Sequence, residues 1–291
     1  MKKRITLLLC FIGIISSSAQ EVIVQDTTKN WMTKGNASLL FNQSSFNHWV
    51  SGGEDSFAGN LGVNYDFNYK KDDWTWDNKI IAAYGLVKTA NSAFEKKTDD
   101  RLELYSLLGK KAKGYWSYSF FANFKTQFTV GYIYDKDANG TEIRTEYSDF
   151  LSPGYLTFGP GMLWKKNDNI RFNIAPLTSK FTFVDSGHTL PNEAYFGVKE
   201  GESMRYELGA YVAGYYKIII MANVSIENIL SLYSNYLEDT QNVDLDYQMN
   251  VVMKINKYLT TNFAFQTIYD DNAFRGFQTR QVFGLAVNFG F

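Results

Sequence analysis

The sequence predicts an all-β protein: a transmembrane up-and-down antiparallel β-barrel of about twelve strands, with short periplasmic turns and long extracellular loops. Three observations predict it. The first is the closing stretch, residues 281–291, which places Phe283, Leu285, Val287, Phe289 and Phe291 on one face and Val282, Gly284, Ala286, Asn288 and Gly290 on the other. A bulky apolar face backed by a small or polar one suits a strand with lipid outside and a filled or wet lumen inside. The second is the length of the alternating segments, about 10–14 residues, which matches a tilted membrane-spanning strand rather than the ~5–6 residues usual in soluble sheets. The third is the spacing between segments, with links of about one to four residues alternating with links of roughly 10 to 25. An edge strand of a soluble sheet is the competing reading of the last segment alone.

The first strand spans residues 35–42, with Ala37, Leu39 and Phe41 on one face. In the second, 57–69, the odd positions are Phe57, Gly59, Leu61, Val63, Tyr65, Phe67 and Tyr69, and the even ones are small or polar. The turn Lys70-Lys71-Asp72-Asp73 leads to 74–87, where Trp74, Trp76, Ile80, Ala82, Tyr84 and Leu86 share a face. Strands follow at 101–111 and 115–128, the latter turning Trp116, Tyr118, Phe120, Ala122, Phe124 and Phe128 outward. Next come 154–164 and 169–178 around the turn Lys165-Lys166-Asn167-Asp168, then 204–216 and 218–231 joined tightly around Lys217. The last three are 242–254, 258–268 and 281–291. An even number of strands returns both ends of the barrel to the periplasm. Trp74, Trp76, Trp116 and Trp164 lie beside the short turns, and with Phe291 they form the expected aromatic girdle at the membrane–water interface.

Composition agrees. The 291 residues include 20 Tyr, 23 Phe and 22 Gly but only 4 Pro, and the mean hydropathy of -0.26 excludes a helical membrane bundle. Residues 1–19 read as a secretory signal: Lys2, Lys3 and Arg4, an apolar run too short to span a bilayer, and a small-residue site at Ser17-Ser18-Ala19. Cleavage in a Gram-negative cell sends the chain to the outer membrane, with 20–34 as a periplasmic lead and 35–291 as the barrel. Cys10 lies in the signal, so the mature chain has no disulfide framework. Removing the three basic signal residues from 29 leaves 26 against 30 acidic ones, a net charge of -4. With no basic stripe, nucleic acid is not an expected partner.

Inward-facing charges are the main site-like feature. Lys79, Arg101, Glu103, Lys125, Arg171, Arg205, Glu207, Glu227, Asp244, Asp246 and Lys254 all fall on the face opposite the apolar one, lining a conduit or filling a narrow lumen with ion pairs. The only histidines, His48 and His188, fall in long loops. His48 with Ser51, or with Ser44 and Ser45, is the weak candidate for a Ser–His pair of an outer-membrane lipid hydrolase, the rival to a transport role. Gly52-Gly53 reads as a loop bend. Asp270, Asp271 and Asn272 match no defined calcium loop and read as a solvated acidic turn. No residue pattern calls for a cofactor or a metal.

The chain resembles a family of Bacteroidota outer-membrane β-barrels known only as a domain of unknown function, family 3078. The residues carrying the resemblance begin at Asn42-Gln43-Ser44-Ser45-Phe46, with Trp49 and Gly52-Gly53-Glu54-Asp55-Ser56. They continue through Trp76-Asp77-Asn78, Tyr84-Gly85, Thr98-Asp99-Asp100, Thr126-Gln127-Phe128, Gly131-Tyr132, Leu151-Ser152-Pro153 and Ala175-Pro176-Leu177-Thr178-Ser179-Lys180. The resemblance implies an outer-membrane barrel and brings no catalytic residues. The expected function is porin-like passage of small solutes, or an accessory or structural role in an outer-membrane complex. Expected partners are outer-membrane lipid and lipopolysaccharide, and the barrel-assembly machinery through the C-terminal strand.

Overall fold

Residues 30–46, 54–189 and 195–291 are described by the computed structural model. In chain order the strands are β1 (Trp31–Ser44), β2 (Ser56–Lys71), β3 (Trp74–Thr89), β4 (Lys96–Lys113), β5 (Trp116–Thr126), β6 (Gly131–Lys136) and β7 (Glu142–Ser148). They continue with β8 (Gly154–Asn167), β9 (Ile170–Phe183), β10 (Met204–Met221), β11 (Val224–Asn235), β12 (Val243–Lys254), β13 (Leu259–Asp270) and β14 (Phe274–Gly290). All but β6 and β7 join one closed barrel in which each strand pairs with its sequence neighbour, β5 with β8, and β14 with β1. Every junction is antiparallel. This is the expected twelve-stranded closure.

Side chains are distributed inside out. Phe57, Leu61, Phe120, Phe283 and Phe289 are exposed on the outer wall, while Glu103 and Glu207 are buried within. A soluble protein would hide the phenylalanines and hydrate the glutamates, so this wall is built for lipid. Trp74, Trp76 and Trp116 are exposed at the turn end. Trp164 sits there too, between Tyr115 at 6.1 Å and Phe172 at 5.9 Å. Beside them Trp76 Nε1 donates to Ser106 Oγ (2.8 Å), which donates to Asn78 Oδ1 (2.9 Å), so these polar groups on the outer face satisfy one another.

Several boundaries differ from expectation. The β10–β11 turn lies at Ala222 and Asn223, not at Lys217, because Lys217 points inward and meets Glu227, its partner across the ladder. A charge between apolar runs resembles a turn in sequence, yet here it is a lumen residue. β4 begins at Lys96 rather than 101, β9 runs to Phe183 rather than 178, and β14 begins at Phe274 rather than 281. The barrel itself starts at Trp31, within the stretch expected to be periplasmic lead. Loops at the far end are not uniformly long, since only Asp271, Asn272 and Ala273 separate β13 from β14. The β5–β8 connection carries its own hairpin, β6–β7, which the alternation did not reveal. In β9, Ala175 and Thr178 are both fully buried although an odd number of residues apart. A register shift around Pro176, which has no N–H to donate, reverses the in–out alternation there. The predicted signal, residues 20–29 of the lead, and the loop holding His48, Trp49, Ser51 and Gly52-Gly53 lie outside the described residues.

Closure depends on the β1–β14 seam. It holds six residue pairs, Asn36–Gly290 to Phe41–Leu285, where every other junction of the barrel holds ten or more. Reciprocal backbone bonds extend it, Gly35 N–H to Phe291 O at 2.7 Å and Phe291 N–H to Gly35 O at 3.0 Å. The Phe291 ring lies over Gly35, stacked on Tyr65 at 6.1 Å, and a Cβ on Gly35 would fall 2.3 Å from Phe291 Cε2. Gly35→Val therefore moves the terminal ring off its seat, and because that ring is exposed and free to swing we expect a loss of about 1 kcal/mol or less. The check is the midpoint of heat-modified gel migration, which should fall below wild type.

On the loop side, Glu142 ties the β6–β7 hairpin to the β3–β4 loop. Its carboxylate meets Lys96 Nζ at 2.6 Å and accepts from Ala93 N–H at 2.7 Å and Ser92 Oγ at 3.0 Å. The Lys96 bond first, and the Ala93 N–H next, hold its pKa down at about 2, against 4.5 for an unperturbed glutamate. A depressed carboxylate contributes fully above the unfolded value, so the tether should be intact at pH above 4.5 and lost as pH falls through about 2. A spin label at Ile133→Cys should become mobile across that window. With Glu142→Gln it should already be mobile at pH 7.

Candidate functional site

The site is the lumen, and its charges are supplied by side chains from opposing walls. At the turn end, Lys79 approaches Asp66 at 4.0 Å and Lys165 reaches Asp77 at 3.5 Å from three strands away around the ring. Lys217 meets Glu227 at 2.9 Å, Tyr215 OH donates to the same carboxylate at 3.2 Å, and the Arg171 guanidinium lies 4.6 Å from the Tyr215 ring. Above this layer Phe121 and Tyr211 stack across the interior at 4.6 Å.

A second charged layer follows. Lys125 of β5 and Asp246 of β12 are five strands apart in a ring of twelve, yet their side chains meet at 2.9 Å. Gln266 Nε2 also donates to Asp246, at 2.9 Å. Arg280 of β14 bonds to Asp99 of β4, and Arg101 lies 3.4 Å from Asp99 and 3.7 Å from Glu103. Tyr105 OH donates to Glu103, and Lys125 sits 5.9 Å from the Tyr105 ring. Three cations and three carboxylates therefore share one layer, drawn from β4, β5, β12 and β14.

A third cluster stands nearer the loops. Lys180, only 11% exposed, lies 2.8 Å from Asp244, 3.4 Å from Glu207 and 3.8 Å from Asp270. Arg205 reaches Glu207 at 3.4 Å and Glu238 at 3.1 Å. A cavity of about 20 Å³, room for a water or two, opens beside Arg205, Glu207, Glu238, Asp244 and Asp271. Asp244, Asp270 and Asp271 bring carboxylate oxygens within 4.8 Å of one another. Lys180 engages Asp244 and Asp270, while the neutral amide of Asn242 donates its Nδ2 to Asp271 at 2.7 Å. The acidic turn at 270–271 is thus part of the lumen network rather than a solvated surface turn.

Ten of the eleven predicted lumen residues fall in these layers. Lys254 faces the same way but is exposed at the turn-end rim. Sequence reading missed Asp77, Asp99, Lys165, Lys180, Lys217, Asp270 and Arg280, along with the tyrosines Tyr105 and Tyr211. Asp99, Lys180, Asp270 and Arg280 lie within a few residues of predicted strand ends, and extending each strand at the same alternation recovers Asp99, Asp270 and Arg280 but not Lys180, where parity has reversed. Of the weak catalytic candidates, His48 and Ser51 lie outside the described residues. His188 sits in a single 3-10 turn (Ser186–His188), 3.8 Å from Glu146 and 5.6 Å from the Tyr195 ring.

Residues 41–132 match the family described as "Protein of unknown function (DUF3078)", while the stretches at 151–153 and 175–180 lie outside the matched residues. No curated protein matches the chain. Among solved structures it is similar to an outer membrane channel of Pseudomonas putida F1, with 10% identity, a TM-score of 0.39, and coverage of 89% of this chain and 94% of that one. It is also similar to the outer membrane channel DcaP of Acinetobacter baumannii, at 10% identity and TM-score 0.32 over 90% and 97% of the two chains. A third is the toluene transporter TodX of Pseudomonas putida, at 6% identity and TM-score 0.34 over 82% and 74%.

Removing one member of a buried ionic cluster strands the others. Lys180→Met leaves Asp244, Glu207 and Asp270 without their shared cation, and we expect a loss of about 3–5 kcal/mol. Urea unfolding in detergent measures it. Lys79→Met, whose pair is more than a third exposed on both sides, should cost about 1 kcal/mol or less.

Proposed function

We propose that this chain is a porin-like outer-membrane barrel that passes small polar solutes through a lumen constricted by exchangeable ion pairs. The observation that carries the reading is Lys125–Asp246, a contact made between nearly opposite walls. Its two ends are not neighbours on a ladder, so it contributes little to wall pairing and stands in the path along the axis. A solute bearing charge or strong hydrogen-bonding groups can replace either partner as it moves, which is how a polar constriction admits polar traffic while rejecting apolar traffic. The lipid-facing exterior, the tryptophan girdle at the turn end and the predicted signal support placement in the outer membrane, with short turns in the periplasm and loops outside. Lipid and lipopolysaccharide are then the surrounding partners, and the C-terminal strand ending in Phe291 is the segment offered to the assembly machinery.

Pure protein in planar bilayers should give discrete conductance steps. Asp246→Asn should raise unitary conductance and shift selectivity toward anions, because Lys125 then faces the path unpaired. Lys125→Gln should shift it toward cations. Bilayers silent for the wild type and both variants would discard the channel reading in favour of an accessory role.

A further inference from the structure

At the turn end one hairpin departs from its neighbours. The β9–β10 ladder ends at Ile170–Tyr216, with one further bond from Lys217 N–H to the Asn169 carbonyl. β10 nevertheless continues to Met221, still paired on its other side with β11 through Ile218–Ile226, Ile219–Ser225 and Met221–Val224. The strand thus runs past β9 with its β9-facing edge unpaired among the described residues. Successive residues of an antiparallel strand aim their N–H and C=O groups to alternate sides. Lys217 N–H points toward β9, so Ile219 presents its N–H and C=O on the same free edge. The side chains there are apolar on both faces: Ile219 is 63% exposed, Ile220 54% and Met221 55%.

The surroundings have the opposite character. From Ile218 to Ile226 the hairpin carries no charge, while the turns on either side expose Lys166, Lys254 and Lys257. Asp168 is the acidic residue of these two turns, and it pairs with Lys165 at 3.1 Å. A free strand edge that presents unpaired N–H and C=O groups is a template for another strand. Flanking lysines select the sign of that strand. We propose that the β10 edge around Ile219 is a docking site for an extended segment of a protein partner, apolar at alternate positions and acidic between them, added to the sheet by backbone pairing. The partner would approach from the turn side and would leave the lumen residues untouched.

The test uses the full-length mature protein in lipid nanodiscs and a fluorescent peptide, Asp-Val-Glu-Val-Glu-Val-Asp. Binding should saturate, and Ile219→Pro should weaken it by about tenfold or more. Proline removes the edge N–H without breaking a bond to β11, a position that edge strands tolerate. Lys166→Glu with Lys257→Glu should weaken it similarly, and heat-modified migration should show all variants folded. Equal binding of a peptide with lysine in place of each acidic residue, or undiminished binding to Ile219→Pro, would overturn the proposal. So would binding that emerges only after residues 20–29 are deleted, which would make the chain's own lead the occupant. An environment-sensitive dye at Ile219→Cys that reports an apolar setting without peptide would overturn it too, by placing the tip in lipid.

Discussion

A strand in hydrocarbon has no water to satisfy its backbone, and that constraint organises the whole molecule. Each of the twelve strands must find a partner on both sides, and only a ring provides this for the first and last. Closure is therefore concentrated in the β1–β14 seam, the shortest ladder in the barrel. Its lower end is finished by Gly35 and Phe291, which exchange both backbone bonds. The glycine leaves open the space over which the aromatic ring lies. The terminal phenylalanine thus has two tasks. It completes the seam through its backbone, and it continues the outer aromatic surface through its contact with Tyr65.

Turning apolar side chains outward leaves the lumen to polar ones, and there the energetics reverse. A charge inside a narrow barrel is partly desolvated, so an unpaired one would be costly. Here the charges are grouped so that each cation has at least one carboxylate or aromatic face within reach, often supplied from a distant strand. Contacts such as Lys125–Asp246 and Lys180–Asp270 link segments far apart around the ring. A barrel of this strand number is narrow enough for a lysine and an aspartate on facing walls to meet.

How much of this was legible follows from which physical signal each feature leaves in the sequence. The wall was legible: residues 57–69 alternate without a fault because one face must meet lipid and the other must not. Lumen residues inside those clean stretches, such as Glu103 and Asp246, followed from the same parity. Three kinds of feature did not follow. Lys217 was read as a turn because a lysine between apolar runs looks the same whether it ends a strand or points into a polar lumen. Lys180 was hidden because the shift at Pro176 reverses parity within β9, and alternation alone carries no sign of it. Cross-lumen partners such as Arg280 and Asp99 are fixed by closure, a property of the ring rather than of any segment.

The two ends of the barrel also answer different demands. At the loop end, polar side chains are spent on internal pairing: Glu142 holds the β6–β7 hairpin, and Arg205 reaches from the wall to Glu238 in the β11–β12 loop. The Arg205–Glu238 contact joins that loop to the lumen network. At the turn end the connections are too short to fold over anything, and the surface is set by strand ends. Exposed Trp74, Trp76 and Trp116 stand there beside lysines, the Lys110 amine lying 5.2 Å from the Trp74 ring. The β10–β11 hairpin breaks that pattern by carrying isoleucine and methionine where its neighbours carry lysine. A short apolar tip gains nothing from water and adds nothing to the ring it has outrun. Its cost is offset only when something covers it, which is why it stands apart from the rest of the barrel.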